Sequence, residues 1–174
     1  ESMALTCMPL FHVAGVNMGV FALAQGLTNV ITKEVNPEEI LEFIEQYKIN
    51  YALFVPAVIL FLTQHPRINE CDVSSLRKLF YGASPIAEDL LKQAQKLFGC
   101  EFYGLYGLTE TTGAGTCLQP ADHIGKKLRS CGKPYPGIKV EVRDSNGKPL
   151  PPEQVGEIVI QHEVLMKGYW NKPE

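Results

Sequence analysis

The stretch Tyr103-Gly104-Leu105-Tyr106-Gly107-Leu108-Thr109-Glu110-Thr111-Thr112-Gly113 sets an aromatic ring, a hydroxyl and a carboxylate within the five residues 106–110, among closely spaced glycines. A ring face can stack on a purine, a Thr hydroxyl can donate to a phosphoryl oxygen, and a carboxylate can hold Mg²⁺, a hard cation that prefers oxygen ligands. Glycine lets the backbone come close to a ligand. From the residues alone the stretch fits a nucleotide site, and it fits equally well a glycine-rich turn after a buried strand.

Two further tracts carry chemically useful groups. Tyr81-Gly82-Ala83-Ser84-Pro85-Ile86 is a short strand running into a turn that Pro85 ends, and Pro9-Leu10-Phe11-His12-Val13-Ala14-Gly15 places a histidine after an apolar run. A histidine beside apolar residues is more often structural, although its titration range also suits proton chemistry. His65, His123 and His162 match no ligand spacing. Cys7, Cys71, Cys100, Cys117 and Cys131 are scattered, odd in number and form no CxxC pair, so neither a disulfide framework nor a zinc site is signalled and a reducing cytoplasm fits best. No GxxxxGK-like or Ser/Thr/Gly-rich phosphate loop occurs.

The elements that must position these groups read as strands alternating with helices. At 174 residues, 45% hydrophobic and 20% charged, the chain can fill a real core. Sixteen Lys plus Arg against nineteen Asp plus Glu leave a formal charge of -3, with no basic run to track nucleic acid or an anionic membrane. No leader and no spanning segment is expected: the apolar stretch 13–24 is broken by Gly15, Asn17 and Gly19 and reads as a buried helix.

Strands are expected over residues 4–8, 29–32, 51–55, 79–81 and 101–106. Helices are expected over 13–24, from Pro37 onward, over 57–64 and over 87–98. Asn36 caps the second helix, Pro37 takes its first position, and Ile40, Phe43, Ile44 and Tyr47 recur at helical spacing. Leu90, Leu91, Ala94, Leu97 and Phe98 form a stripe that closes at Gly99.

Past Arg129 the texture changes to glycine and proline punctuating two alternating strands, 139–143 and 157–161, with Asp144-Ser145-Asn146-Gly147 as a turn signal. The fold class is therefore α/β: a parallel-rich sheet with crossover helices over 1–130, followed by a small antiparallel β region over 131–174. An incomplete parallel sheet with open edges predicts a homodimer or limited solubility.

The order and spacing of four tracts resemble the AMP-forming ligase superfamily, of the acyl-CoA synthetase kind. They are Pro9 to Gly15, Tyr81 to Ile86, Tyr106 to Glu110, and a late run of Gly132-Lys133-Pro134, Gly156-Glu157 and Gly168-Tyr169-Trp170-Asn171. The resemblance covers essentially the whole chain. It implies that Tyr106 stacks on adenine, Thr109 meets the α-phosphate and Glu110 helps bind Mg²⁺. Gly82, Ala83 and Ser84 would border the adenine and the acyl pocket, Gly107 would lie beside the substrate, and His12 would stand near the substrate carboxylate at the acyl gate. Where relatives commonly carry a glycine, this chain reads Gln161-His162-Glu163.

The implied reaction activates a carboxylic acid with ATP and passes the acyl group to coenzyme A. The resemblance places the phosphate loop with its lysine, the ribose-gripping aspartate and a C-terminal domain with a catalytic lysine outside the sequence. The chain thus reads as an internal segment without turnover of its own, from a cytoplasmic parent that is at most peripheral to membranes. The rival readings are a non-catalytic nucleotide- or acyl-binding module and a purely structural domain. The small residues Gly15, Gly19 and Ala22 are read as room for an alkyl chain, and residues 54–57 as pocket lining. A medium or long fatty acid comes first, an aryl acid such as a cinnamate second.

Overall fold

A computed structural model describes residues 2–172, so Glu1, Pro173 and Glu174 lie outside the described residues. The elements are β1 (Met3–Thr6), α1 (Val13–Ala24), β2 (Thr28–Ile31), α2 (Pro37–Tyr47), β3 (Tyr51–Phe54), α3 (Pro56–Gln64), β4 (Lys78–Gly82), α4 (Glu88–Phe98), β5 (Glu101–Tyr106), β6 (Thr116–Leu118), β7 (Lys133–Pro134), β8 (Lys139–Arg143) and β9 (Glu157–Gln161).

The larger sheet has seven strands in the order β2-β1-β3-β4-β5-β6-β7. From β2 to β5 every pairing is parallel. β6 turns back antiparallel on β5, and β7 pairs antiparallel with β6. β8 and β9 form a separate antiparallel pair, with Lys139 opposite Gln161 and Arg143 opposite Glu157. This is the α/β architecture expected from the sequence.

Residue alternation along the strands splits the core between the two faces of the sheet. Leu5, Ala52, Phe54 and Leu79 face a large cluster with Ile40, Leu41 and Ile44 of α2, Ile59 and Leu62 of α3, and Leu91 and Phe98 of α4. Ala4 turns to the other face, where Met18 and Ala22 of α1 meet it and Phe21, Leu53 and Phe80 pack alongside. The ring of Phe21 stands edge-on to Tyr51 and Phe80, with centroids 5.8 and 5.6 Å away.

Local chemistry sets the helix ends. The Asn36 side chain accepts from the Glu38 N–H at 3.0 Å, Pro37 takes the first helical position, and Lys48 ends α2 in the left-handed region. α4 closes on Gly99 at φ 60°, whose N–H returns to the Gln95 carbonyl. Pro56, expected only to stop β3, also opens α3, since its fixed φ suits that first position.

Three expectations need revision. α1 is not a wholly buried helix: Gly15, Met18 and Ala22 are buried against the sheet, while Val16, Val20 and Leu23 are exposed on its outer face. Gly15 and Ala22 are small for packing and not for an alkyl chain, because a Cβ on Gly15 would lie 2.2 Å from the Pro9 carbonyl oxygen and Ala22 is fully buried. The change of texture after Arg129 does not coincide with departure from the main sheet, since Lys133 pairs with Cys117 there before the chain enters the two-stranded pair. β6 and β7, of three and two residues, are too short to show a pattern.

Candidate functional site

Parallel strands bring their carboxyl ends to one side of the sheet, and ligands of open α/β sheets sit in the crevice outside those ends where the strand order reverses. Here it reverses between β1 and β3. A cleft of about 290 Å³ opens there, lined by His12, Val13, Ala14 and Asn17, by Leu53, by Gly82 and Ala83, and by Leu105, Gly107 to Glu110 and Gly113.

The turn after β5 closes on itself. Thr109–Thr111 form one short 3₁₀ turn, and the Gly113 N–H donates back to the Leu108 carbonyl at 2.8 Å. Gly107 must be glycine because a Cβ there would stand 2.3 Å from the Gly113 carbonyl oxygen. The three threonines divide the work. Thr111 is buried and spends its hydroxyl on the Leu108 N–H and carbonyl, at 2.9 and 3.1 Å, whereas Thr109 is exposed in the cleft. Thr112 donates its hydroxyl to the Val164 carbonyl.

Glu110 sits beside Thr109 with a half-buried side chain. Its Oε1 accepts from the Tyr169 phenol, and its carbonyl accepts from the Met166 N–H at 2.9 Å. The phenol first, then a backbone N–H, hold the carboxyl below the usual carboxylate range, so it is an anion at neutral pH.

The second loop departs from expectation in detail. Gly82 does keep the backbone close, since a Cβ would lie 2.4 Å from the Leu105 carbonyl oxygen. The left-handed residue is Ala83, at φ 69°, and such non-glycine strain gathers where surrounding structure imposes it. Behind this loop the ring of Tyr81 crosses β5 at Gly104, where a Cβ would come 2.7 Å from its hydroxyl. That hydroxyl lies 3.0 Å from Nε2 of the buried His123, whose Nδ1 is 2.8 Å from the Gln119 carbonyl. Only a protonated Nδ1 can donate to a carbonyl, so in the neutral ring Nε2 accepts from Tyr81. Burial pushes the Tyr81 hydroxyl up to about 12, so it remains a donor.

His12 caps α1: its Nδ1 accepts from the Ala14 N–H at 3.1 Å, which in the neutral ring leaves the proton on Nε2. Asn17, read from the sequence only as a break in an apolar stretch, donates from Nδ2 to the Thr112 carbonyl at 2.8 Å and ties α1 to the turn. Leu53, not Phe54, reaches the cleft: alternate residues of β3 point to opposite faces, and Phe54 is fully buried. His162 stabilises its own unusual loop by accepting from the Val164 N–H at 3.1 Å.

The structure thus gathers His12, Gly82, Ala83, Gly107, Thr109 and Glu110 around one cleft, while Tyr106 at the end of β5 and exposed Ser84 lie outside its lining. The place of Leu53 in the lining and the contacts of Asn17 and Tyr169 were not foreseen, because long-range juxtaposition leaves no local signal in a single sequence. Among the described residues no three His, Cys, Asp or Glu cluster to hold a metal. One anionic carboxylate beside a hydroxyl is instead the donor set that suits Mg²⁺ carried by nucleotide phosphates, because this cation keeps waters and uses few protein ligands. Burial pushes the Cys7 and Cys100 thiols up to about 12, which disfavours their thiolates.

Residues 1–170 match the family described as "AMP-binding enzyme". The chain is 35% identical over 173 residues to a fatty acid–[acyl-carrier-protein] ligase, ScoC, of Streptomyces coeruleorubidus, covering 98% of the chain and 33% of that protein. It is 36% identical over 170 residues to the medium/long-chain-fatty-acid–CoA ligase FadD8 of Mycobacterium tuberculosis, covering 98% and 30%. Among solved structures, O-succinylbenzoate coenzyme A synthetase of Bacillus subtilis, in complex with ATP and magnesium ion, superposes with a TM-score of 0.84 at 26% identity, over 98% of this chain and 35% of that one. The chain spans about a third of the length of the curated relatives it matches.

Proposed function

The chain belongs to the AMP-binding enzyme family, and from that premise we propose that its cleft is the adenylate- and magnesium-facing part of a ligase that activates a fatty acid with ATP and passes the acyl group to coenzyme A. The observation that carries this reading is the convergence of Thr109 and Glu110 with Gly82, Ala83 and His12 on one cleft at the carboxyl ends of the strands.

In the first half-reaction a carboxylate oxygen of the acid attacks the α-phosphorus of ATP, the bond to pyrophosphate breaks, and acyl-AMP forms. In the second, a thiolate sulfur attacks the acyl carbon and AMP leaves. Such chemistry is accelerated chiefly by alignment and charge stabilisation. Thr109 donates its hydroxyl to an α-phosphate oxygen. The Glu110 carboxylate would hold Mg²⁺, which would supply neutralisation of phosphate charge. His12, with Nδ1 occupied by the Ala14 N–H, presents Nε2–H to the substrate carboxylate. Gly82 and Ala83 border the adenine and the acyl pocket, and Tyr106 stacks on the base.

FadD8 supports a fatty acid and coenzyme A; the name of ScoC supports a second reading in which the acceptor is an acyl-carrier protein. Cytoplasmic action accords with five cysteines that are all free. Among the described residues no helix is long and apolar enough to cross a membrane.

The test is ATP–pyrophosphate exchange by the full-length protein across fatty and cinnamic acids. Exchange should require added acid, favour medium or long chains, and fall by about 10²-fold or more in Glu110→Gln, the scale on which removal of one transition-state charge contact acts. Exchange that ignores the acid, or a Glu110→Gln protein as active as its parent, would refute the reading; preference for an amino acid would refute the substrate class.

A further inference from the structure

Glu110 is held from a part of the chain far from its own turn. Three polar tethers join residues 162–169 to the turn: the Thr112 hydroxyl donates to the Val164 carbonyl, the Met166 N–H donates to the Glu110 carbonyl, and the Tyr169 phenol donates to Glu110 Oε1. The segment is itself preformed, with the Val164 N–H on His162 Nδ1 at 3.1 Å and the Leu165 N–H on the His162 carbonyl at 3.4 Å. We propose that residues 162–169 are a strap that orients the Glu110 carboxylate for its cation, with Tyr169 as the positioning residue.

The chemistry of the contact favours orientation over packing. Tyr169 is 54% exposed, so hydrophobic burial alone does not explain its place. Its hydroxyl and one backbone N–H take two of the carboxylate's about four lone-pair directions, so others stay open to a cation. Outer hydrogen bonds that fix a ligand's direction govern metal affinity with little change in overall structure. With its carbonyl pinned by Met166 and its carboxylate by Tyr169, Glu110 is fixed at both ends. Thr109 next to it remains exposed to the cleft.

This inference rests on the reading of Glu110 as the magnesium-facing carboxylate, and the experiment separates the two. Tyr169→Phe in the full-length protein keeps the ring and removes only the donor. Mn²⁺ is titrated in the presence of ATP and followed by electron paramagnetic resonance, and the Mg²⁺ dependence of ATP–pyrophosphate exchange is measured alongside. Loss of one hydrogen bond to a charged group predicts that both half-saturation concentrations rise about tenfold or more. The effect should fall on metal dependence more than on maximal rate, and Glu110→Gln should weaken Mn²⁺ further. The proposal is overturned if Tyr169→Phe binds Mn²⁺ like the parent, or if it lowers the melting temperature and rate with no change in metal dependence. Should Glu110→Gln also leave Mn²⁺ binding intact, the assignment of Glu110 itself fails.

Discussion

At Ala83 the backbone takes a conformation at φ 69° that L-residues avoid, next to a glycine that does not. The order is physically sensible. Gly82 is squeezed by the Leu105 carbonyl and so needs to lack a Cβ, while the following residue bends the chain toward the cleft. Relieving the bend should stabilise the fold at the expense of a preset loop. Ala83→Gly is expected to gain about 1 kcal/mol in urea unfolding and to bind adenylate more weakly; a loss of stability would contradict the strain. That Thr109 and Glu110 stand side by side was legible in the sequence, where they are adjacent, while their roles toward nucleotide and metal came from the resemblance. The contacts of Asn17 and Tyr169 were not legible, since each meets the turn across a long stretch of chain, 95 and 59 residues away.

Helix and strand positions were largely legible. Residues 101–106, 139–143 and 157–161 fall where alternation places them, and α2 starts where Asn36-Pro37 says it must. What alternation cannot give is how two elements interlock, and β4 with β5 shows this best. Tyr81 lies across Gly104 to reach His123, a histidine whose sequence context signals nothing. A methyl at Gly104 would stand 2.7 Å from the Tyr81 hydroxyl and 3.2 Å from Leu118 Cβ, forcing the ring from its partner. Gly104→Ala should therefore cost about 1–3 kcal/mol, as overpacking does, and combining it with Tyr81→Phe should cost less than the sum of the two changes. Chemical denaturation of the three variants checks this. Full additivity would mean that the two residues do not share one strained contact.

Across the whole molecule, the arrangement explains how residues separated in sequence come to act together. Parallel pairing from β2 to β5 sets the loops after β1, β4 and β5 on one rim, and α1 and the turn after β5 are stitched by Asn17. The two-stranded sheet then returns residues 162–169 to that same rim. The far side of α1 is apolar, with Val16, Val20 and Leu23 exposed, and the sequence could not distinguish it from core because its residue types are the same. The proposed ligase requires this rim to hold an acyl-adenylate. The most direct test of that requirement is calorimetric titration of the full-length protein with a non-hydrolysable acyl-sulfamoyl adenosine. The predicted result is saturable one-site binding that Thr109→Val weakens by about tenfold, the scale of one hydrogen bond to a strong acceptor; no binding, or binding that Thr109→Val leaves unchanged, would contradict it.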